Sequence, residues 1–300
     1  MSRPRPAFSR VAAVVAIALT AMATLPTLAC SDSDDRRVIT SSEAAFVPVI
    51  ESSDIHVGVP RLILTLLERD TQPDFPEGAT FRIRYFDPTE DGIKFHSEAE
   101  IDQIDVEGLR YLVANDPPFE RPGQWALAVT AELPDGTSES TPRLPFLVRG
   151  AARGLAPGDR APTLDTPTNS DGVLERMADP TPDGLGLYER SASDLISAGE
   201  PFLIVWASAE RCAGRQACAR ALEQATTLLQ QGAIAVLHVE PFGRPRPQTL
   251  QALIDAANEA WSIEAEPQFF LVDQDGVIAA RFEIVVEQPE LERAVEALTR

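Results

Sequence analysis

Pro201-Phe202-Leu203-Ile204-Val205-Trp206-Ala207-Ser208 is an unbroken apolar run, and two cysteines, Cys212 and Cys218, follow it closely. A second run stands about fifty residues further on: Glu266-Pro267-Gln268-Phe269-Phe270-Leu271-Val272-Asp273, ending in Gln274-Asp275-Gly276. The first reads as a buried strand that feeds a helix over 216–231, closed by Gly232 as C-cap. The second reads as a proline, a short apolar strand over 268–272, a tight Asp275-Gly276 turn and a return strand over 277–286. Between and around them the periodicity predicts a short helix over 191–198 stopped by Gly199 and a second buried strand over 234–239. It also predicts helices over 249–260 and 289–298. Strands alternating with helices, then a hairpin and a last helix, define an α/β order.

In this order and spacing the segments resemble a thioredoxin-like domain, over about residues 155–300. Trp206-Ala207-Ser208 matches the strand end that precedes the family's cysteine motif. Trp261-Ser262-Ile263-Glu264-Ala265-Glu266-Pro267 resembles the segment that ends in its cis-proline. Gly158-Asp159-Arg160-Ala161-Pro162 is similar to the lead-in of membrane-anchored thioredoxin-like and peroxiredoxin-like proteins. The resemblance implies a cis Pro267 beside Cys212, with the backbone of residue 266 offered to a bound chain. It also implies thiol–disulfide exchange, in which Cys212 attacks and Cys218 resolves.

The residues themselves support two sulfurs in different settings. A thiol at a helix N-terminus beside cations ionises more readily, and Cys212 stands near Arg211 and Arg215, opposed by Glu210. Cys218 shares a helix face with Leu222, Ala225 and Leu229, so its sulfur is expected toward the core. The spacing departs from the family's Cys-x-x-Cys, because five residues intervene. Positions six apart on one helix are rotated by about 240° and separated by about 9 Å along the axis. A disulfide tolerates only about 4.4–6.8 Å between Cα atoms. A bond between the two therefore requires an irregular loop over 213–215, which Gly214 permits, and a helix beginning near Gln216. Arg211 replaces the family's tryptophan before the first cysteine, and the proline within the motif is missing. A peroxiredoxin would need Thr where Ala209 stands, and a copper chaperone of the Sco type would need another cysteine spacing and a loop histidine.

The N-terminus reads as an export signal: Arg3, Arg5 and Arg10 precede a long apolar stretch, 11–29, that contains no acid. Thr27-Leu28-Ala29-Cys30 resembles a bacterial lipobox, which implies lipidation of Cys30; an uncleaved membrane anchor is the alternative. Either places the body outside the cytoplasm, where two remaining cysteines suffice for one disulfide. The chain thus divides into a signal peptide 1–29, an Asp-rich tether 30–37, a β domain 38–150, a Gly/Pro linker 151–162 and the α/β domain 163–300.

The β domain is expected to be an antiparallel sandwich of roughly seven strands, similar to bacterial immunoglobulin-like domains. Arg61–Leu67 is apolar, Phe81–Tyr85 alternates apolar and charged residues, and Trp125, Leu127 and Val129 repeat that period. Turn signals fall at Pro76-Glu77-Gly78, Asp91-Gly92, Arg121-Pro122-Gly123 and Asp135-Gly136. Trp125 is expected on the inward face. His56 and His96 lack ligand-spaced neighbours, and His238 lies in a buried strand, so neither metal nor cofactor is expected.

The 300 residues carry a formal charge of −20, and removal of the three signal arginines takes it to −23. Such a chain is repelled by phosphate backbones, so no nucleic-acid partner is expected. Two functions stay open. One is thiol–disulfide exchange on exported proteins, or on cytochrome-maturation components as the membrane-anchored relatives imply. The other is a non-catalytic interaction module in which Cys212–Cys218 is a permanent staple.

Overall fold

The computed structural model describes residues 45–89, 92–172, 184–208, 215–242 and 246–299. Cys30, Cys212, Asp91 and the proposed signal and tether lie outside the described residues. The described chain belongs to one compact unit, 38–300. It is built mostly of antiparallel sheets with four helices.

Among the described residues nine strands precede residue 150: β1 (Val47–Ile50), β2 (Arg61–Leu67), β3 (Thr80–Thr89), β4 (Gly92–Glu100), β5 (Asp102–Val106), β6 (Leu109–Asn115), β7 (Gly123–Glu132), β8 (Ser138–Ser140) and β9 (Leu144–Val148). One sheet runs β1-β2-β6-β5 and the other β4-β3-β7-β8, with β9 also on β7. Alternation decides what lies between them. Leu62, Leu64 and Leu112 from the first sheet share one core with Phe81, Ile83, Trp125 and Leu127 from the second. The two sheets therefore form a β-sandwich. Trp125 is in this core as expected, its indole N–H donating to the Arg121 carbonyl at 3.0 Å. The count exceeds seven in part because β8 has three polar residues and no apolar period to announce it.

The second layer system follows the predicted order closely. It comprises α1 (Ala192–Ala198), β10 (Phe202–Trp206), α2 (Arg215–Gln231), β11 (Ala235–Val239), α3 (Gln248–Ala260), β12 (Gln268–Val272), β13 (Ile278–Glu283) and α4 (Gln288–Thr299). Ser191 caps α1 by accepting the Asp194 N–H, and Gly199 ends it at φ 65°. The sheet order is β11-β10-β12-β13, with β10 and β11 parallel and the other neighbours antiparallel. Alternate residues of β10 divide between two cores. Leu203 and Val205 pack with residues of α2 and α4, whereas Phe202, Ile204 and Trp206 pack with α1 and the end of α3. A strand buried on both faces explains the unbroken apolar run.

Two local expectations need correction. The return strand ends at Glu283, not residue 286, because Ile284 takes φ 62° and leaves the extended region. The buried stripe of α2 is Cys218, Ala221, Ala225 and Leu228, with Leu222 and Leu229 only partly buried beside it.

Candidate functional site

The C-terminal ends of the parallel strands β10 and β11 carry a polar cluster, the position where open α/β sheets present their functional groups. From β10 the chain continues through Ala207 and Ser208, both fully buried, toward Cys212. From β11 come His238 and, just past the strand, Glu240. Tyr188 is supplied by the 3-10 turn Gly184–Tyr188. Glu266 and Pro267 arrive ahead of β12, and their peptide bond is cis.

His238 is a satisfied core residue. Its Nε2 lies 2.7 Å from the Ala207 carbonyl, which only accepts, so Nε2 carries the proton. The other nitrogen, Nδ1, then accepts from the Tyr188 hydroxyl. Burial holds the ring neutral, pulling its pKa from 6.5 down to about 4 against the favourable Ala207 bond. Burial likewise pushes the Tyr188 hydroxyl upward.

Beside this pair lies a buried ion pair. Arg246 Nη2 is 2.5 Å from Glu240 Oε2, with side-chain exposures of 3% and 6%. Tyr188, His238, Glu240 and Arg246 line a small cleft closed by Leu250 and Ile254 of α3. Glu266 completes the cluster. Burial pushes its carboxyl up to about 7, and the Ser208 hydroxyl and backbone N–H, donating to it, pull the other way. Ser208 Oγ in turn accepts the Phe242 N–H at 2.9 Å.

These two groups give opposing pH dependences. Glu266, raised in the folded state, contributes stability that is full below its ordinary range and lost as pH rises through about 7. His238, depressed in the folded state, contributes stability that is full above 6.5 and lost as pH falls toward about 4. From about pH 5 to 6.5 the slopes oppose. The His238 share over that window is on the order of 2 kcal/mol, and that of the partly exposed Glu266 about 1 kcal/mol. Glu266→Gln is therefore expected to steepen the rise of stability with pH in urea titrations across this window. A profile parallel to that of the native protein would contradict the assignment.

Of the residues singled out from sequence, Pro267 is buried and cis, and its carbonyl accepts the Ile284 N–H at 2.8 Å. Cys218 is fully buried in the core that also holds Ala207. It is disulfide-bonded, and the partner sulfur lies outside the described residues. The structure thus joins the segment before Pro267 to the end of β10 through Glu266 and Ser208. His56 hydrogen-bonds the Val57 carbonyl from Nδ1, and His96 lies tilted against Trp125 with ring centroids 5.5 Å apart. Among the described residues no cluster of three or more His, Cys, Asp or Glu could hold a metal ion. Nor is any helix among them long and apolar enough to cross a membrane. The sequence reading missed the side chains of Ser208, Glu240, Arg246 and Glu266. A polar residue directly after a buried parallel strand, as at Ser208 and Glu240, was the available signal.

No protein-family model matches the chain, and no curated protein does. Solved structures with partial likeness include the fibronectin type-III domain of a human fibronectin type III domain containing protein. It is 19% identical over 35% of this chain and 85% of that one, at a TM-score of 0.23. A conjugative transposon lipoprotein from Bacteroides eggerthii is 17% identical over 35% of this chain and 96% of that one, at a TM-score of 0.18. A purple acid phosphatase from yellow lupin seeds is 9% identical over 84% of this chain and 48% of that one, at a TM-score of 0.25. Likeness at this level assigns the chain to no family.

Proposed function

We propose that the protein is a lipid-anchored, extracytoplasmic thiol–disulfide exchanger of thioredoxin-like architecture, working through Cys212 and Cys218. The observation that carries this reading is the disulfide at Cys218. Its sulfur sits on the buried stripe of α2, in one core with the end of β10, where Glu266 hydrogen-bonds Ser208 just ahead of cis Pro267. Cys30 would hold the protein to the outer face of a bacterial cell membrane, and the sandwich would be its immunoglobulin-like domain.

In the reductive direction the Cys212 thiolate attacks a substrate disulfide, forming a mixed disulfide and releasing one substrate thiolate. The Cys218 thiolate then attacks the Cys212 sulfur of that mixed disulfide. The intramolecular bond forms and the second substrate thiolate leaves. Exported proteins with exposed disulfides or thiols are the substrates of this chemistry.

Equilibration of the mature protein in glutathione buffers, followed by alkylation of free thiols, tests the reading. The Cys212–Cys218 pair is expected to titrate within the range of known exchangers, about −120 to −270 mV. Cys212→Ser is expected to abolish catalysis of disulfide reduction in a model protein. A bond that stays oxidised well below about −300 mV would instead identify a permanent staple in an interaction module.

A further inference from the structure

Beside its buried stripe, helix α2 carries a second stripe that meets the sandwich. Cys218, Ala221, Ala225 and Leu228 face the core beneath the mixed sheet. Ala217, Arg220 and Gln224 lie on a neighbouring stripe, spaced by three and four residues. Ala217 is buried in an apolar cluster with Ile63, Ile104, Tyr111 and Val113, which belong to the outer face of the β1-β2-β6-β5 sheet, and with Val285. Arg220 donates from Nη1 to the Asp105 carbonyl of β5 at 3.0 Å and pairs through Nη2 with Glu287 at 3.0 Å. Gln224 donates to the Val286 carbonyl at 2.9 Å in a buried bond. The sandwich holds the same segment from its other side, where Arg61 donates to the Val285 carbonyl at 3.0 Å.

We propose that the sandwich is the positioning element for the Cys218 sulfur. By gripping the start of α2 through Ala217 and Arg220, and the segment 284–287 that Gln224 also holds, it fixes the helix orientation that buries Cys218. It thereby sets the rate at which a reductant opens the disulfide. Attack on the Cys218 sulfur needs local opening of its element, and attack on the partner sulfur expels a Cys218 thiolate, a poor leaving group while an apolar core surrounds it. Every contact between α2 and the sandwich that breaks in that opening slows it. The inference rests on the bond at Cys218 and holds whether that bond exchanges with substrates or is permanent.

The test uses the full oxidised chain and two variants, Ala217→Glu and Arg220→Ala. Dithiothreitol reduction is quenched by alkylation, and the Cys218 peptide is followed by mass spectrometry against time. Amide hydrogen exchange over β5 and β6 reports in parallel on the interface. A glutamate in the first turn suits the helix dipole, so Ala217→Glu acts through the apolar cluster and not through helix propensity. Arg220→Ala is expected to speed reduction about threefold to tenfold, the range that corresponds to a lost hydrogen bond. Ala217→Glu is expected to exceed that. If Ala217→Glu does not fold, Arg220→Ala decides alone. Reduction within about twofold of the native rate overturns the proposal. It does so if exchange over β5 and β6 has risen, because the helix then holds without the sandwich. It does so equally if exchange is unchanged, because the contacts then hold nothing. Accelerated opening in a protein with no exchange activity would end the functional reading and leave the positioning role standing.

Discussion

Arg246→Met is expected to cost the fold about 3–5 kcal/mol in urea unfolding at neutral pH, the usual cost of breaking a buried pair from one side. The Arg246 guanidinium and the Glu240 carboxylate are both nearly inaccessible, at the end of β11 and against α3. Their mutual attraction offsets a desolvation cost that each would otherwise bear alone. Methionine fills much of the arginine's volume but leaves Glu240 without Arg246 in a low-dielectric setting. The double variant Arg246→Met with Glu240→Leu removes both charges and is expected within about 1–2 kcal/mol of the native protein. Arg246 also contributes to holding His238 neutral, so the single variant should raise the pH at which that ring protonates. Equal stability of the single and double variants would show that the pair bears no such cost.

Trp125→Ala is expected to be comparably damaging, about 3–5 kcal/mol, by a different route. The indole is 1% exposed between the two sheets of the sandwich, in edge-on contact with Phe119 at 5.2 Å between ring centroids. Its removal loses the transfer free energy of a large side chain and leaves a cavity that a rigid sandwich fills poorly. Trp125→Phe separates the terms. It keeps most of the apolar contact and forfeits the N–H bond to the Arg121 carbonyl, for about 1–2 kcal/mol. A denaturation midpoint for Trp125→Ala near that of Trp125→Phe would place the ring outside the load of the core.

What could be read from sequence was whatever a period or a turn residue encodes. Ser191, Gly199 and Gly232 marked helix ends that the structure places within a residue or two. The unbroken run over 202–206 announced a strand covered on both faces. Arg61–Leu67 carried the same signal, but nothing in its neighbourhood says what covers its outer side. The cover is Ala217 and Val285, more than 150 residues away in the chain. The polar cluster was illegible for a related reason. Glu240, Arg246 and Glu266 are three charges among many in a chain with 24% charged residues. Only the pairing of β10 with β11 and β12 brings them to one end of the sheet. The short polar β8 and the stop at Ile284 depend on partner strands and a backbone angle, neither of which has a compositional signature.

The long reach of the Arg61–Val285 bond also constrains how the polypeptide matures. A nascent chain growing from its amino end can assemble the interior of the sandwich early, while Ile63, Ile104 and Val113 on the outer face wait for residue 285. For nearly half of its synthesis the molecule therefore displays a greasy β surface, and the acidity of the chain repels its own copies during that interval.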